Sequence, residues 1–237
     1  MVGIGYYGYG FYGMDPFYIV LVVASLVLGL ATQAYIKHAY AKWSAVPASI
    51  PGTGAEVARR MLNEGGAGNI AIDRIGGELT DNFNPQDACL HLSEENFSGA
   101  SVASVAVACH EAGHAVQAAK GFSMYRLRTS LVPVVSLASN FWWLVLMLGI
   151  FMNVAGLVTA AIWLFAATVV FSLVTLPVEI DASRRAVAYL RTYGAGVDEK
   201  GAKQVLTAAA LTYVASALIS ILQLLYYLSR YGGRNRD

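Results

Sequence analysis

Residues 109–117 read CHEAGHAVQ. His110 and His114 are four apart, so on a helix they share a face and can point two imidazoles at one ion. Zinc accepts such nitrogen donors in a tetrahedral site that keeps one position open. Glu111 lies about 100° further round the helix. It is too far round to join the pair easily, but its longer side chain reaches a water beside the ion, as a general base must. The chain holds only four histidines, so chance rarely produces the H-E-x-x-H spacing. The bland alternative is a satisfied pair of core histidines with a buried glutamate. It places three ionisable groups in an Ala/Val-rich segment, which costs several kcal/mol unless they are paired or bind metal. A di-iron site needs two E-x-x-H pairs, and neither His38 nor His91 has a glutamate three residues before it. A haem bridge is sterically poor, because both imidazoles approach one point. One Zn²⁺ ion is the best candidate.

A zinc site of this kind needs a third donor. In TLPVEIDASRRA, residues 175–186, Glu179 and Asp181 are the carboxylates nearest a long apolar stretch. Pro177 suits the first turn of a new helix, with Glu179 in that turn. Asp181 would point about 200° away from Glu179, so both cannot easily ligate. Spacing favours Glu179 and leaves Asp181 open. A first-turn carboxylate can also serve only as a helix-dipole partner.

The elements that must carry these groups are set by composition. Of 237 residues, 57% are hydrophobic and 13% charged, against about 25% charged in an ordinary soluble domain. Disorder, a collagenous chain, a coiled coil and a free-standing soluble enzyme are excluded or disfavoured on that ground. A net charge of +1 gives no basic field for nucleic acid. Cys89 and Cys109 cannot make a disulfide framework. Residues 17–36 carry no charge and match the roughly 30 Å hydrocarbon core. Residues 129–178 are also free of charge; as one helix they would run about 75 Å, so they must cross twice. Asn153 and Gly156 mark the turn between spans near 131–151 and 156–176. A fourth span lies within 204–229. The expected fold is mainly α, a polytopic membrane protein of about four spans with a small α+β zincin-like domain.

The division that follows is a Gly/Tyr-rich tail 1–16, span one at 17–38 and a membrane-surface domain at 39–128. A two-helix hairpin at 129–176 comes next, then a loop or helix with the third ligand at 177–203, span four at 204–229 and a tail at 230–237. Lys and Arg concentrate between spans one and two and between spans three and four, which puts both loops in the cytoplasm. Arg230, Arg234 and Arg236 fall against that rule. Within 40–128, residues 55–63 read as an amphipathic helix closed by Gly65 and Gly66. Short strands are expected at 69–72 and 88–92 around an Asn84-Pro85 turn, and a long helix at 98–119. His91 reads as a core or surface histidine, and Cys109 as a small buried hydrophobe. Arg184 and Arg185 read as lipid-facing charges, with a peptide carboxylate as the alternative. The 88–92 strand offers edge pairing to an extended substrate.

The segments SVASVAVACHEAGHAVQ, RLRTSLVPVVSLAS, FSLVTLPVEIDASRRAVAYL and GAKQVLTAAALTYVAS, with LTDNFNP and LHLS upstream, resemble the bacterial membrane zinc metallopeptidases labelled YugP-like. The likeness extends over most of residues 50–220. More distantly it extends to membrane gluzincins, which use H-E-x-x-H plus a downstream glutamate. The resemblance implies Glu179 as third ligand beside His110 and His114, and Glu111 as the base of a metalloendopeptidase acting on peptide or protein substrates. It implies a multi-pass protein of the bacterial plasma membrane. The family's His-Tyr-Asp-Pro stands here as Asn82-Phe83-Asn84-Pro85. The distant relatives' aspartate four residues after the glutamate stands as Ser183, a hydroxyl able to orient a ligand. Two other readings are an intramembrane site-2-type protease, whose Asp-Gly motif is absent, and a non-catalytic zinc-stapled scaffold. An ATP-driven protease also uses HEAGH, but the chain has no phosphate loop.

Overall fold

The computed structural model describes residues 15–231. Helix α1 (Pro16–Ser44) opens with Pro16 in its first turn and the Asp15 carboxylate accepting from Phe17 N at 3.0 Å. Both features satisfy the unpaired donors of a helix start. Its 29 residues rise about 44 Å, so the last turns stand clear of a roughly 30 Å apolar layer. Phe17, Val20, Leu26, Val27 and Leu30 are exposed along it. That pattern suits lipid as solvent.

Between this helix and the next long one lies a compact α+β part. Helix α2 (Gly54–Gly65) starts in a reciprocal Thr53/Glu56 capping box and ends at Gly66, whose φ of 79° needs no Cβ. Strands β1 (Ala71–Ile75), β2 (Asn82–Asn84) and β3 (Cys89–Ser93) form a sheet in the order β1-β3-β2, with β1 parallel and β2 antiparallel to β3. The turn at Asn84-Pro85 joins β2 to β3. The edge-pairing expectation for the 88–92 strand is therefore corrected. Strand β3 is the central strand, and both its ladders are taken by the chain itself.

After the short helix α3 (Glu94–Ser98), helix α4 (Val102–Ala119) begins four residues later than the sequence suggested. Gly99–Ser101 is spent on an extended entry, and the Ser101 side chain caps the helix. Val102, Ala103, Val105, Ala106, Ala108, Cys109 and Ala112 are fully buried. They pack against protein: α2 and β3 on one side, and on the other the final turns of two long helices and the first turns of a third. An all-round apolar helix is either a core helix or a membrane span, and α4 is the former.

Helices α5 (Ser123–Phe151), α6 (Ala155–Tyr193) and α7 (Gly196–Tyr231) complete the chain. With α1 they are, among the described residues, the four helices long and apolar enough to cross a membrane. Asn153, at φ 52°, makes the α5–α6 turn in the left-handed region that asparagine tolerates. Pro177 does not start a new helix: it lies inside α6, which runs without a break to Tyr193. The expected first-turn position of Glu179 is thereby corrected to a helix interior, and a dipole role is excluded. Proline removes one backbone hydrogen bond, yet the rest of α6 remains packed against α4 and α7, which a break would sacrifice. Phe17 and Tyr18 stack near Tyr226, which places the start of α1 beside the end of α7. The Gly/Tyr-rich segment lies almost wholly outside the described residues.

Two acids, Asp198 buried and Asp81 half-buried, staple the α+β part to the long helices. Asp198 is fully buried in the first turn of α7 and accepts from Ser49 N at 2.9 Å, Ile50 N at 3.1 Å and Ala195 N at 3.2 Å. Asp81 accepts from Ser93 N and Asn96 Nδ2, both at 2.8 Å, and Asn96 in turn accepts from the Tyr40 hydroxyl of α1 at 2.7 Å. Replacing Asp198 by alanine strands the Ser49 and Ile50 amides, while Ala195 N keeps Ser49 Oγ at 2.7 Å. Thermal unfolding in detergent should show a loss of about 2–4 kcal/mol; an unchanged midpoint would contradict the stapling role.

Candidate metal centre

The site forms where α4 crosses α6. A Cβ added to Gly113 would stand 2.9 Å from the Ala182 carbonyl oxygen and 3.2 Å from its Cα, so the two backbones touch. His110 and His114 flank Gly113 on α4, and Glu179 and Ser183 flank Ala182 on α6. The crossing thus delivers all four side chains to one place.

Glu179 Oε2 lies 3.3 Å from His110 Nε2 and 3.6 Å from His114 Nε2. One ligand atom from each of the three residues falls within 4.8 Å of the others. Donors bound at about 2.0–2.1 Å in a tetrahedron sit about 3.3–3.4 Å apart, so the spacing fits a small tetrahedral ion. The imidazoles meet edge to face, at 82° with centroids 4.8 Å apart. Glu179 Oε2 is buried, and no hydrogen bond of good geometry reaches it. A buried carboxylate oxygen left in that state is costly. A cation held jointly with the two Nε2 atoms would satisfy it.

The orientation of each ring is fixed from behind. His110 Nδ1 lies 3.1 Å from Ser183 Oγ. His114 Nδ1 lies 3.0 Å from Gln117 Oε1, and an amide oxygen only accepts, so Nδ1 carries the proton and Nε2 is left with its lone pair. Gln117 is fully buried and donates to the Val178 carbonyl and to Asp181 Oδ2, both at 2.8 Å. Asp181 is also held by Arg185 at 2.6 Å. The Asp181 carboxylate lies outside the cluster of ligand atoms and braces the glutamine that orients His114. Such outer partners of a ligating histidine set its tautomer and basicity. Sequence reading assigned no role to Gln117, although its i+3 spacing from His114 puts both on one face.

Glu111 makes no hydrogen bond or ion pair among the described residues. Burial pushes its carboxyl above the usual range, against the opposing pull of His110 and His114. Burial also disfavours the His114 cation, but Glu179 and Glu111 outweigh it and the net shift is upward. Cys109 is buried, and its thiol is pushed up by burial, as befits packing rather than ligation. His91 is not among the clustered ligand atoms and pairs with Asp87 at 3.1 Å. Arg185 is engaged by Asp181, whereas Arg184 is exposed and lines a groove of about 460 Å³ between α6 and α7, together with Ser183, Arg191 and Lys203.

Two predictions follow from this geometry. Gly113→Val forces the crossing open, so zinc affinity should fall at least about tenfold while the far-ultraviolet spectrum stays helical; undiminished affinity would refute the crossing's role. In the metal-free protein, the raised Glu111 carboxyl contributes stability below the unfolded value near pH 4.5, and that contribution is lost as pH rises through its folded value. Metal-free Glu111→Gln should therefore melt above metal-free wild type at pH 7.5, with the gap closing towards pH 5.

Residues 18–232 match the profile of the family described as "Putative neutral zinc metallopeptidase". The chain is 39% identical over 223 residues to "Putative membrane protease YugP" of Bacillus subtilis (strain 168), covering 93% of this chain and 99% of that protein. No solved structure matches it. With the profile and the curated relative both spanning nearly its whole length, the chain belongs to the neutral zinc metallopeptidase family.

Proposed function

We propose that the protein is a membrane-embedded zinc metalloendopeptidase in which His110, His114 and Glu179 hold one Zn²⁺ and Glu111 is the general base. The observation that carries this reading is the convergence of three ligand atoms on a buried, unsatisfied Glu179 oxygen, with the unpaired Glu111 carboxylate next in sequence to His110. Zinc, when bound in such a set, lowers the pKa of water towards 7 and polarises a carbonyl. Glu111 receives the proton of the attacking water and returns it to the leaving amine. Ser183 and Gln117 hold the two imidazoles so that no reorientation accompanies turnover. No residue forms a covalent bond to the substrate.

The substrate is a peptide or protein segment, and the bilayer is the protein's other partner. The α+β part serves as a zincin-like domain at the membrane surface. By the distribution of Lys and Arg between the spans, it faces the cytoplasm of a bacterial plasma membrane. Because α4 packs against α2, β3, α6 and α7 and is not one of the four long apolar helices found among the described residues, a site-2-type arrangement with the motif on a spanning helix is disfavoured.

Metal analysis and peptide cleavage on one set of purified variants test the reading. Glu179→Ala should lose zinc. Asp181→Ala should keep most of it, with affinity lower by about 10–100-fold. Glu111→Gln should keep stoichiometric zinc and lose at least about 10²-fold in cleavage rate. A wild type that binds zinc yet cleaves no peptide would favour the scaffold reading instead.

A further inference from the structure

Buried polar side-chain atoms without a partner are rare in folded proteins, and each one calls for an explanation. Among the described residues they are Ser44 Oγ, Tyr125 Oη, Arg128 Nε, Thr129 Oγ1 and Glu179 Oε2. Glu179 belongs to the candidate metal set. Three of the others come from the first two turns of α5, at positions i, i+3 and i+4, and therefore share one face. All three atoms are able to donate: a phenol, a guanidinium N–H and a hydroxyl. The Tyr125 and Thr129 hydroxyls lie beside each other, and beyond that pairing the face presents donors without an acceptor oxygen.

The face points at the site. Tyr125 is 4% exposed, and its ring lies 6.4 Å from the His114 ring and 6.5 Å from Phe83 of β2. Arg128 and Thr129 neighbour the Tyr125 hydroxyl, and Glu111 acts on it electrostatically. Arg128 also neighbours Tyr213 of α7, which in turn lies beside Glu179 and Glu111. The donors thus line the wall contributed by α5, across from the helix that carries both histidines and the base. The segment RLRTS, singled out in the sequence but given no task by the metal site, supplies two of the three.

We propose that Tyr125, Arg128 and Thr129 receive the oxygen of the scissile carbonyl and stabilise the negative charge that develops on it. The proposal rests on the peptidase reading and adds the residues that touch the reacting oxygen. Water attack converts a neutral carbonyl oxygen into an oxyanion. The Arg128 guanidinium, with its Nε buried, and the two adjoining hydroxyls stabilise the anion more than the neutral ground state. Arg128 supplies the positive charge, and the hydroxyls supply direction.

The test uses full-length, zinc-loaded protein in detergent, an internally quenched peptide substrate, and a phosphinic peptide of the same sequence whose tetrahedral anion imitates the charged state. Arg128→Gln and Tyr125→Phe should each lower kcat about 10²-fold, with KM changed only a few-fold. Phosphinic peptide affinity should drop in step with kcat/KM while zinc content stays at wild-type level. Arg128→Lys should recover part of both losses. Unchanged kcat and phosphinic peptide affinity in the two variants would overturn the assignment while the peptidase reading stands. Losses that track zinc content or thermal stability would overturn it in favour of a structural role. A zinc-loaded wild type that neither cleaves the peptide nor binds the phosphinic peptide would overturn the peptidase reading, and this assignment with it.

Discussion

The structure depends on one close contact between two helices. At Gly113 and Ala182 the backbones of α4 and α6 meet with no room for a side chain on the α4 side. A contact this short brings residues one turn away on each helix within bonding distance of a common ion. It also fuses the two halves of the molecule, since α4 is the core helix of the α+β part and α6 is one of the long apolar helices. The same two helices therefore organise both the core and the metal ligands.

Polar groups buried at such a crossing need partners, and the chain supplies them in a connected series. Arg185 holds Asp181, Asp181 and the Val178 carbonyl hold Gln117, and Gln117 holds His114. Ser183 meets His110 from the other side. Each bond in a buried series of this kind strengthens under low dielectric, and a missing member costs more than one bond. The two groups left without such support are Glu111 and Glu179 Oε2, the pair on which proton transfer and metal binding are proposed to fall. Support for the rings and freedom for the reactive oxygens are complementary parts of one arrangement.

The outer architecture follows the solvent. Exposed leucine, valine and phenylalanine run along α1, α5, α6 and α7, while capped helices, tight turns and ion pairs such as Arg74–Glu94 belong to the α+β part. The Asp198 network joins these regions by accepting from the Ser49 and Ile50 amides, and the Asp81 network does so through Asn96, which accepts from the Tyr40 hydroxyl of α1. They hold the α+β part in fixed register on the helices, which a site built from α4, α5 and α6 requires.

Much of this was legible in the residues. The spans follow from charge-free runs, because a hydrocarbon solvent tolerates no unpaired charge and demands a set helix length. The turn at Asn153, the α2 helix with its glycine stop and the shared face of His110 and His114 follow from local backbone preferences and helical periodicity, which neighbouring residues impose on one another. The place of Glu179 rather than Asp181 beside the two histidines, the continuation of α6 through Pro177, the central place of β3 and the contacts of Gln117 and Tyr125 were decided by the tertiary structure alone. Each depends on which surface of one element meets another far away in sequence. A proline's local penalty of about 3 kcal/mol can be outweighed by packing that no sequence window contains. Local chemistry thus determined which side chains are able to ligate, while the crossing of α4 with α6 decided which of them meet.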